Sequence, residues 1–222
     1  MTLHATQGEV RDPRALWWWM RAFVLLTLIG YIATFLLSAA TWGIYARLLA
    51  LPVPQAQLID QTIALVNVGV LIAYVFSIFF TLRVTYRLMK NAHTFGGDED
   101  LMSPGMAVGW YFVPVASLFQ PPRAVGQIWR ATFRRIGQID KGSSIVGWWW
   151  MSWIVSGILL TYTSIAFRED LSNASRDAIE VGVFVQTLGF GLRAAAAALL
   201  LATFGMLVRA QGNLDSIGDT FD

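Results

Sequence analysis

Four long stretches of this chain are almost free of charge. Residues 22–46, 61–82 and 143–167 hold no charged side chain, and residues 181–208 hold one, Arg193. A helix that crosses a hydrocarbon layer of about 30 Å needs about 20 apolar residues. Each stretch is long enough, so the pattern predicts an all-α, polytopic membrane helix bundle with four transmembrane helices. The chain then divides into a polar tail over 1–16, a membrane domain over 17–209 and a second polar tail over 210–222.

A fifth apolar stretch, residues 106–119, is about 14 residues long. That length favours a re-entrant or interfacial segment over a span. Pro104 and Gly105 open it, Pro114 interrupts it, and Pro121 and Pro122 close it. Proline removes a backbone donor and breaks the helical ladder, so 103–120 is expected as a broken segment covered by protein or lining a wet cavity. Residues 122–136 then read as an amphipathic helix. At about 100° per residue, Arg123, Gln127, Arg130 and Arg134 share one face. Val125, Ile128, Trp129, Phe133 and Ile136 fall opposite. A basic face backed by an aromatic, apolar face describes a helix lying in the membrane interface, and it also describes ordinary packing on other helices.

Charge fixes the expected orientation. If 103–120 does not cross, one side of the membrane holds Arg11, Arg14, Arg21, Arg83, Arg87, Lys90, Arg123, Arg130, Arg134, Arg135, Lys141 and Arg209. The other side holds Arg47, Arg168 and Arg176. By the positive-inside rule both termini are then cytoplasmic. If the segment crosses, the bias disappears. The triplets Trp17–Trp18–Trp19 and Trp148–Trp149–Trp150 fall at the cytoplasmic ends of their helices, as an aromatic belt does.

Composition narrows the chemistry. The chain of 222 residues is 56% hydrophobic and 14% charged, against about 25% charged in soluble domains. It has no cysteine, which excludes disulfides, thiolate nucleophiles and cysteine-ligated metals. The net charge of +2 does not suggest a nucleic-acid partner. No cofactor motif, phosphate loop, HExxH or GxSxG is present. Asp98, Glu99 and Asp100 read as a solvated acidic loop, and His93 as a polar-loop histidine. No metal site is expected.

The central block, Ser103-Pro-Gly-Met-Ala-Val-Gly-Trp-Tyr-Phe-Val-Pro-Val-Ala-Ser-Leu-Phe-Gln-Pro-Pro-Arg-Ala-Val-Gly-Gln-Ile-Trp-Arg130, resembles the core signature of the bacterial membrane proteins grouped as domain of unknown function 4328. The preceding Asn91-Ala-His-Thr-Phe-Gly96 resembles that family's polar lead-in. The likeness covers roughly residues 91–132. Met106 stands where the family usually has Trp, Tyr111 where it has Trp, and Gln120-Pro121-Pro122 where it has Lys-Pro-Tyr. The resemblance implies a multi-span bacterial membrane protein and supplies no activity.

Arg193 is the sharpest candidate residue. It sits about 12 residues from either end of its span, where a charge is costly and usually faces protein or a cavity. Gly182, Gln186, Gly189 and Ala197 share its helix face, and no acidic residue lies in any other span. The expected ligand or partner site comprises Arg193, Gln186, Gly189, Asn67, Pro114 and Trp110. Arg193 is expected to dock on carbonyls freed by Pro114, or on an anion between the two. Arg123, Arg130, Arg134 and Trp129 form a second candidate surface, for lipid or a partner. The chain is expected to be a non-enzymatic scaffold, accessory subunit or sensor. The alternative is a small transporter or a lipid- or small-molecule-binding protein. The expected partners are membrane lipids, other membrane subunits or a second copy of the chain.

Overall fold

The computed structural model describes residues 10–48, 53–95, 100–138, 143–166 and 175–218, and contains no strand among them. The helices are α1 (Arg14–Tyr45), α2 (Val53–Thr94), α3 (Pro104–Gly109), α4 (Gln120–Arg135), α5 (Ser144–Ala166) and α6 (Arg176–Gly218). Short 3-10 turns occupy Trp110–Phe112 and Ala116–Leu118. Helices α1, α2, α5 and α6 are long and apolar enough to cross a membrane. The all-α class, with four helices fit to span, is therefore what the described residues have.

Two helices exceed what a span requires. α2 has 42 residues and α6 has 43. At 1.5 Å per residue each is about 63 Å long, twice the thickness of the hydrocarbon core. Residues 83–94 and 209–218, read as polar loop and tail, continue these helices. In α2 the reason is an amphipathic pattern: Val84, Leu88 and Ala92 are buried, while Arg83, Lys90 and His93 are exposed.

The broken segment follows its prolines. Ser103 caps α3, its hydroxyl accepting from the Met106 amide at 3.3 Å, and Pro104 takes the first turn, where a missing N–H costs nothing. Val113 is extended, at φ −97° and ψ 114°, because a residue before proline is pushed out of the helical region. Pro121 and Pro122 occupy the first turn of α4. They open that helix as much as they close the segment before it. α4 ends at Arg135, and Gly137 just beyond its cap has a φ of 69°, a left-handed conformation that glycine adopts without strain.

The chain forms two units. Unit 1 comprises residues 1–22, 78–147 and 200–222, and unit 2 comprises 23–77 and 148–199. Unit 1 has a close-packed interior. Met20, Val84, Leu88, Met89, Val125, Ile128, Phe204 and Leu207 are fully buried. A polar hub crosses this interior. The Asn91 Nδ2 donates to Gln211 Oε1 at 3.0 Å and to the Arg11 carbonyl at 3.0 Å. The Arg11 amide returns a bond to Asn91 Oδ1 at 3.2 Å. Gln211 Nε2 donates to Thr132 Oγ1 at 2.9 Å and to the Leu88 carbonyl at 3.3 Å. One network thus ties the N-terminal segment, α2, α4 and α6 together. Gln127 of α4 holds the return loop by accepting from the Met102 amide and donating to the Asp100 carbonyl, both at 3.0 Å. His93 Nε2 lies 2.9 Å from the Met102 carbonyl. Asp98 and Glu99 lie outside the described residues.

In unit 2 the helices approach closely at glycines. Gly30 of α1 sits against the Val70 side chain of α2. A Cβ on Gly189 of α6 would stand 2.8 Å from Leu160 Cγ of α5, and one on Gly191 would stand 3.2 Å from the Phe35 ring of α1. Small residues let helix backbones approach where no hydrophobic force drives them together. Arg176, at the start of α6, donates from Nε and Nη2 to the Tyr45 carbonyl at 3.1 and 2.9 Å. This caps the C-terminus of α1 with a cation, as the helix dipole favours.

Of the two readings of the α4 apolar face, packing on other helices is the one the structure has: Val125 and Ile128 are fully buried and Trp129 is 2% exposed, so this face is filled by the unit 1 interior. Trp129 is therefore a core residue rather than a surface one. The second Trp triplet is also split. Trp148 is exposed as a belt residue would be, whereas Trp149 and Trp150 are buried.

Candidate ligand site in unit 2

The interior of unit 2 is more polar than its spans suggest. On α1, Tyr31, Thr34, Ser38 and Thr41 recur at three- and four-residue steps, which places them on one helix face. Thr34 and Ser38 are buried. Most hydroxyls here are satisfied by their own helix: Thr34 donates to the Gly30 carbonyl at 3.0 Å, Thr41 to Leu37 at 3.1 Å, and Thr187 to Val183 at 2.8 Å. The Ser38 and Thr187 hydroxyls meet at 2.8 Å between α1 and α6. Because Thr187 already donates to its helix, Ser38 is the donor in this pair.

These residues border a cavity of about 170 Å³ lined by Ser38, Thr41, Ile63, Gln186 and Phe190. A liquid water occupies about 30 Å³, so the space suits a few waters or a small organic group. Thr34 and Asn67 lie one helical turn from Ser38 and Ile63, with the Thr34 hydroxyl 3.5 Å from Asn67 Oδ1. Asn67 is exposed, so it stands at the outer side of α2 rather than inside. Gln186 lines this cavity, whereas Asn67, expected at the same site from sequence, is not among its lining residues. Gly189 serves as the packing contact with Leu160.

Arg193 lies two helical turns along α6 from Gln186. Its guanidinium carbon stands 5.5 Å over the Trp153 ring. Trp153 in turn stacks on Trp150 at 4.8 Å, and Trp150 meets Trp149 edge-on at 5.2 Å. The Tyr31 phenol is within electrostatic reach of Arg193. Gly157 of α5 lies beside the charge: a Cβ there would meet Nη2 at an ordinary contact distance of 3.6 Å. Nη1 is buried and has no hydrogen-bond partner among the described residues. The guanidinium cannot lose its proton, so this is a permanent cation with one donor group unsatisfied. The aromatic platform under it is a feature that residue spacing along α6 does not report. Its signal was Trp153, three residues past a tryptophan triplet and so one turn from Trp150.

The remaining candidates belong to unit 1. Pro114 is exposed and Trp110 is half-buried. Tyr111 is half-buried with its hydroxyl oxygen enclosed, and this desolvation pushes its phenol well above the ordinary range, while a hydrogen bond with Thr85 works in the opposite direction. Arg123, Arg130 and Arg134 are all exposed. No group of three or more potential metal ligands occurs among the described residues.

Four helices long and apolar enough to cross a membrane give the chain the build of a polytopic α-helical membrane protein. It belongs to the family described as domain of unknown function 4328, which it matches over residues 47–209. No curated protein and no solved structure matches it significantly.

Proposed function

We propose that this chain is a non-enzymatic membrane component that holds a small anionic ligand, carrying a phosphate or carboxylate, among the helices of unit 2. The observation that carries this reading is the buried, unpartnered Nη1 of Arg193. A cation at mid-membrane costs several kcal/mol unless it is solvated. Stacking on Trp153 returns about 2 kcal/mol when desolvated, but a ring face does not accept the in-plane N–H bonds of a guanidinium. An oxyanion does, and a guanidinium fork suits one. The cavity beside Gln186, Ser38 and Thr41 offers an amide and hydroxyl oxygens to the polar remainder of such a ligand. The basic residues, twelve against three across the spans, support an orientation with both termini cytoplasmic.

The test is native mass spectrometry of the full chain extracted in mild detergent. A bound mass carrying phosphate or carboxylate is expected, and it should be depleted in Gln186→Leu with Ser38→Val. Recovery of bare protein from native membranes speaks against the reading. A second reading, a scaffold or accessory subunit, is favoured by Asn67. This amide, whose oxygen meets the Thr34 hydroxyl of α1 at 3.5 Å, is exposed on α2 among Leu65, Val68 and Leu71, and such an amide suits a further hydrogen bond to a partner helix. Heteromeric or dimeric masses that vanish in Asn67→Leu are its expected signature.

A further inference from the structure

The surface of unit 1 carries a feature that the ligand site does not use. Between α3 and α4 the chain is broken by Pro114, and the break presents a row of apolar side chains outward. Phe112 and Val115 are each 72% exposed and Phe119 is 63% exposed, and Val113 and Leu118 are exposed as well. Two phenylalanines and three aliphatic residues within eight positions are a large apolar display. Fixed backbone holds them there. The Ser117 amide donates to the Val113 carbonyl at 2.7 Å, the Ser117 hydroxyl to the Pro114 carbonyl at 2.7 Å, and the Phe119 amide to the Ala116 carbonyl at 3.1 Å. This is an ordered knuckle, with its polar backbone turned on itself and its apolar side chains turned out.

The helix that follows says what covers it. Phe119, Arg123, Arg130 and Arg134 lie at 0, 4, 11 and 15 residues along α4, which puts them within about 60° of one another at 100° per residue. Those three arginines are exposed, as is Arg135, and α4 contains no acidic residue. The opposite face of α4 is consumed by the unit 1 core. The exposed stripe is therefore apolar at its N-terminal end and cationic along its length. A protein partner of mixed surface charge has no special match to this layout. An anionic bilayer surface matches both halves, hydrocarbon taking the knuckle and headgroup phosphates taking the arginines.

We propose that the Phe112–Phe119 knuckle inserts into an anionic lipid leaflet, with Arg123, Arg130 and Arg134 engaging headgroups beside it. The membrane-contacting element is thus the proline-broken turn and not the apolar face of α4. Each basic residue near an anionic surface favours association about fivefold, so the three together make insertion depend on lipid charge.

The chain has no cysteine, which makes single-site labelling clean. Full-length Phe112→Cys, Val115→Cys and Phe119→Cys variants, each labelled with an environment-sensitive fluorophore, would be reconstituted into vesicles. One set would be phosphatidylcholine alone and the other would include phosphatidylglycerol. A label at the exposed Gln138 serves as the water-facing control. The expected result is blue-shifted emission at 112, 115 and 119, quenched by lipid-borne spin labels. Quenching should be severalfold stronger with phosphatidylglycerol, and that gain should be lost when Arg123, Arg130 and Arg134 are all changed to Gln. Water-like emission at the three sites overturns the proposal. So does a blue shift without lipid quenching, which signals a protein partner or second copy. Quenching indifferent to lipid charge and to the arginines overturns the anionic assignment.

Discussion

Asn91 and Gln211, 120 residues apart in sequence, meet in a buried hydrogen bond of 3.0 Å. Both side chains are within 1% of full burial. Each amide has further partners: Asn91 clasps the Arg11 backbone in both directions, and Gln211 reaches Thr132 and Leu88. Removing one member leaves buried donors and acceptors unmet, at about 1–3 kcal/mol. Asn91→Ala and Gln211→Ala are each expected to lower the stability of the purified protein by that amount. Because they share a network, the double variant should lose less than the sum. Chemical denaturation of the two single variants and the double one checks this, and strict additivity would separate the two residues.

The glycine contacts make a second prediction. Gly189→Val forces Leu160 to move and should cost about 1–3 kcal/mol through overpacking of α5 on α6. Gly69→Ala, where nothing lies within 4 Å of the added carbon, should cost nothing. Thermal unfolding in one detergent compares them. Equal stability of both variants would mean that α5 and α6 do not pack at this glycine.

Tyr111 gives a pH prediction. Its phenol is buried and its folded-state pKa is raised above the ordinary value of 10.0. The unfolded chain therefore releases this proton first as pH rises, and stability falls once pH passes about 10. The contribution of Tyr111 is fully present below that point. Tyr111→Phe is expected to flatten the alkaline loss of stability, after allowance for its constant effect at neutral pH. An unchanged alkaline slope in the variant argues that Tyr111 is reached by solvent.

Orientation is open to direct measurement. Reporter fusions at Gly142 and at the C-terminus should both give cytoplasmic signals, since the basic residues divide twelve to three under that topology. A periplasmic signal at Gly142 replaces it with a topology in which 103–120 crosses.

The spans were legible because hydrocarbon tolerates no charge, and their absence of charge is a local property of the sequence. What lies beyond the hydrocarbon was harder. The extension of α2 through His93 is written in Val84, Leu88 and Ala92 alternating with Arg83, Arg87 and Lys90, a soluble-helix pattern that follows an apolar run without a break. The Asn91–Gln211 pair has no local signature, because the partners are brought together only by the fold. Arg193 stood out as a lone charge, and Gln186 by sharing its face. The Trp153 platform and the Ser38–Thr41 side of the cavity come from other helices, and residue spacing along one helix cannot report them. For α4, sequence gave two apolar-face readings, lipid and protein. Burial of Val125, Ile128 and Trp129 decides for protein.

Arg193 carries the functional account, and the most direct measurement is the stability of wild type and Arg193→Gln, each stripped of lipid and then titrated with anionic lipid or with free phosphate or carboxylate. If a ligand oxyanion normally meets Nη1, the stripped variant should be at least as stable as stripped wild type, because it lacks an unsatisfied buried cation. Wild type alone should then be stabilised by the anion, by about 2.7 kcal/mol at a hundredfold excess over its dissociation constant. Stabilisation by lipid but not by free anions would identify a headgroup. If instead Arg193→Gln loses about 1–3 kcal/mol when stripped and neither protein responds to any anion, the charge is structural and the binding account is wrong.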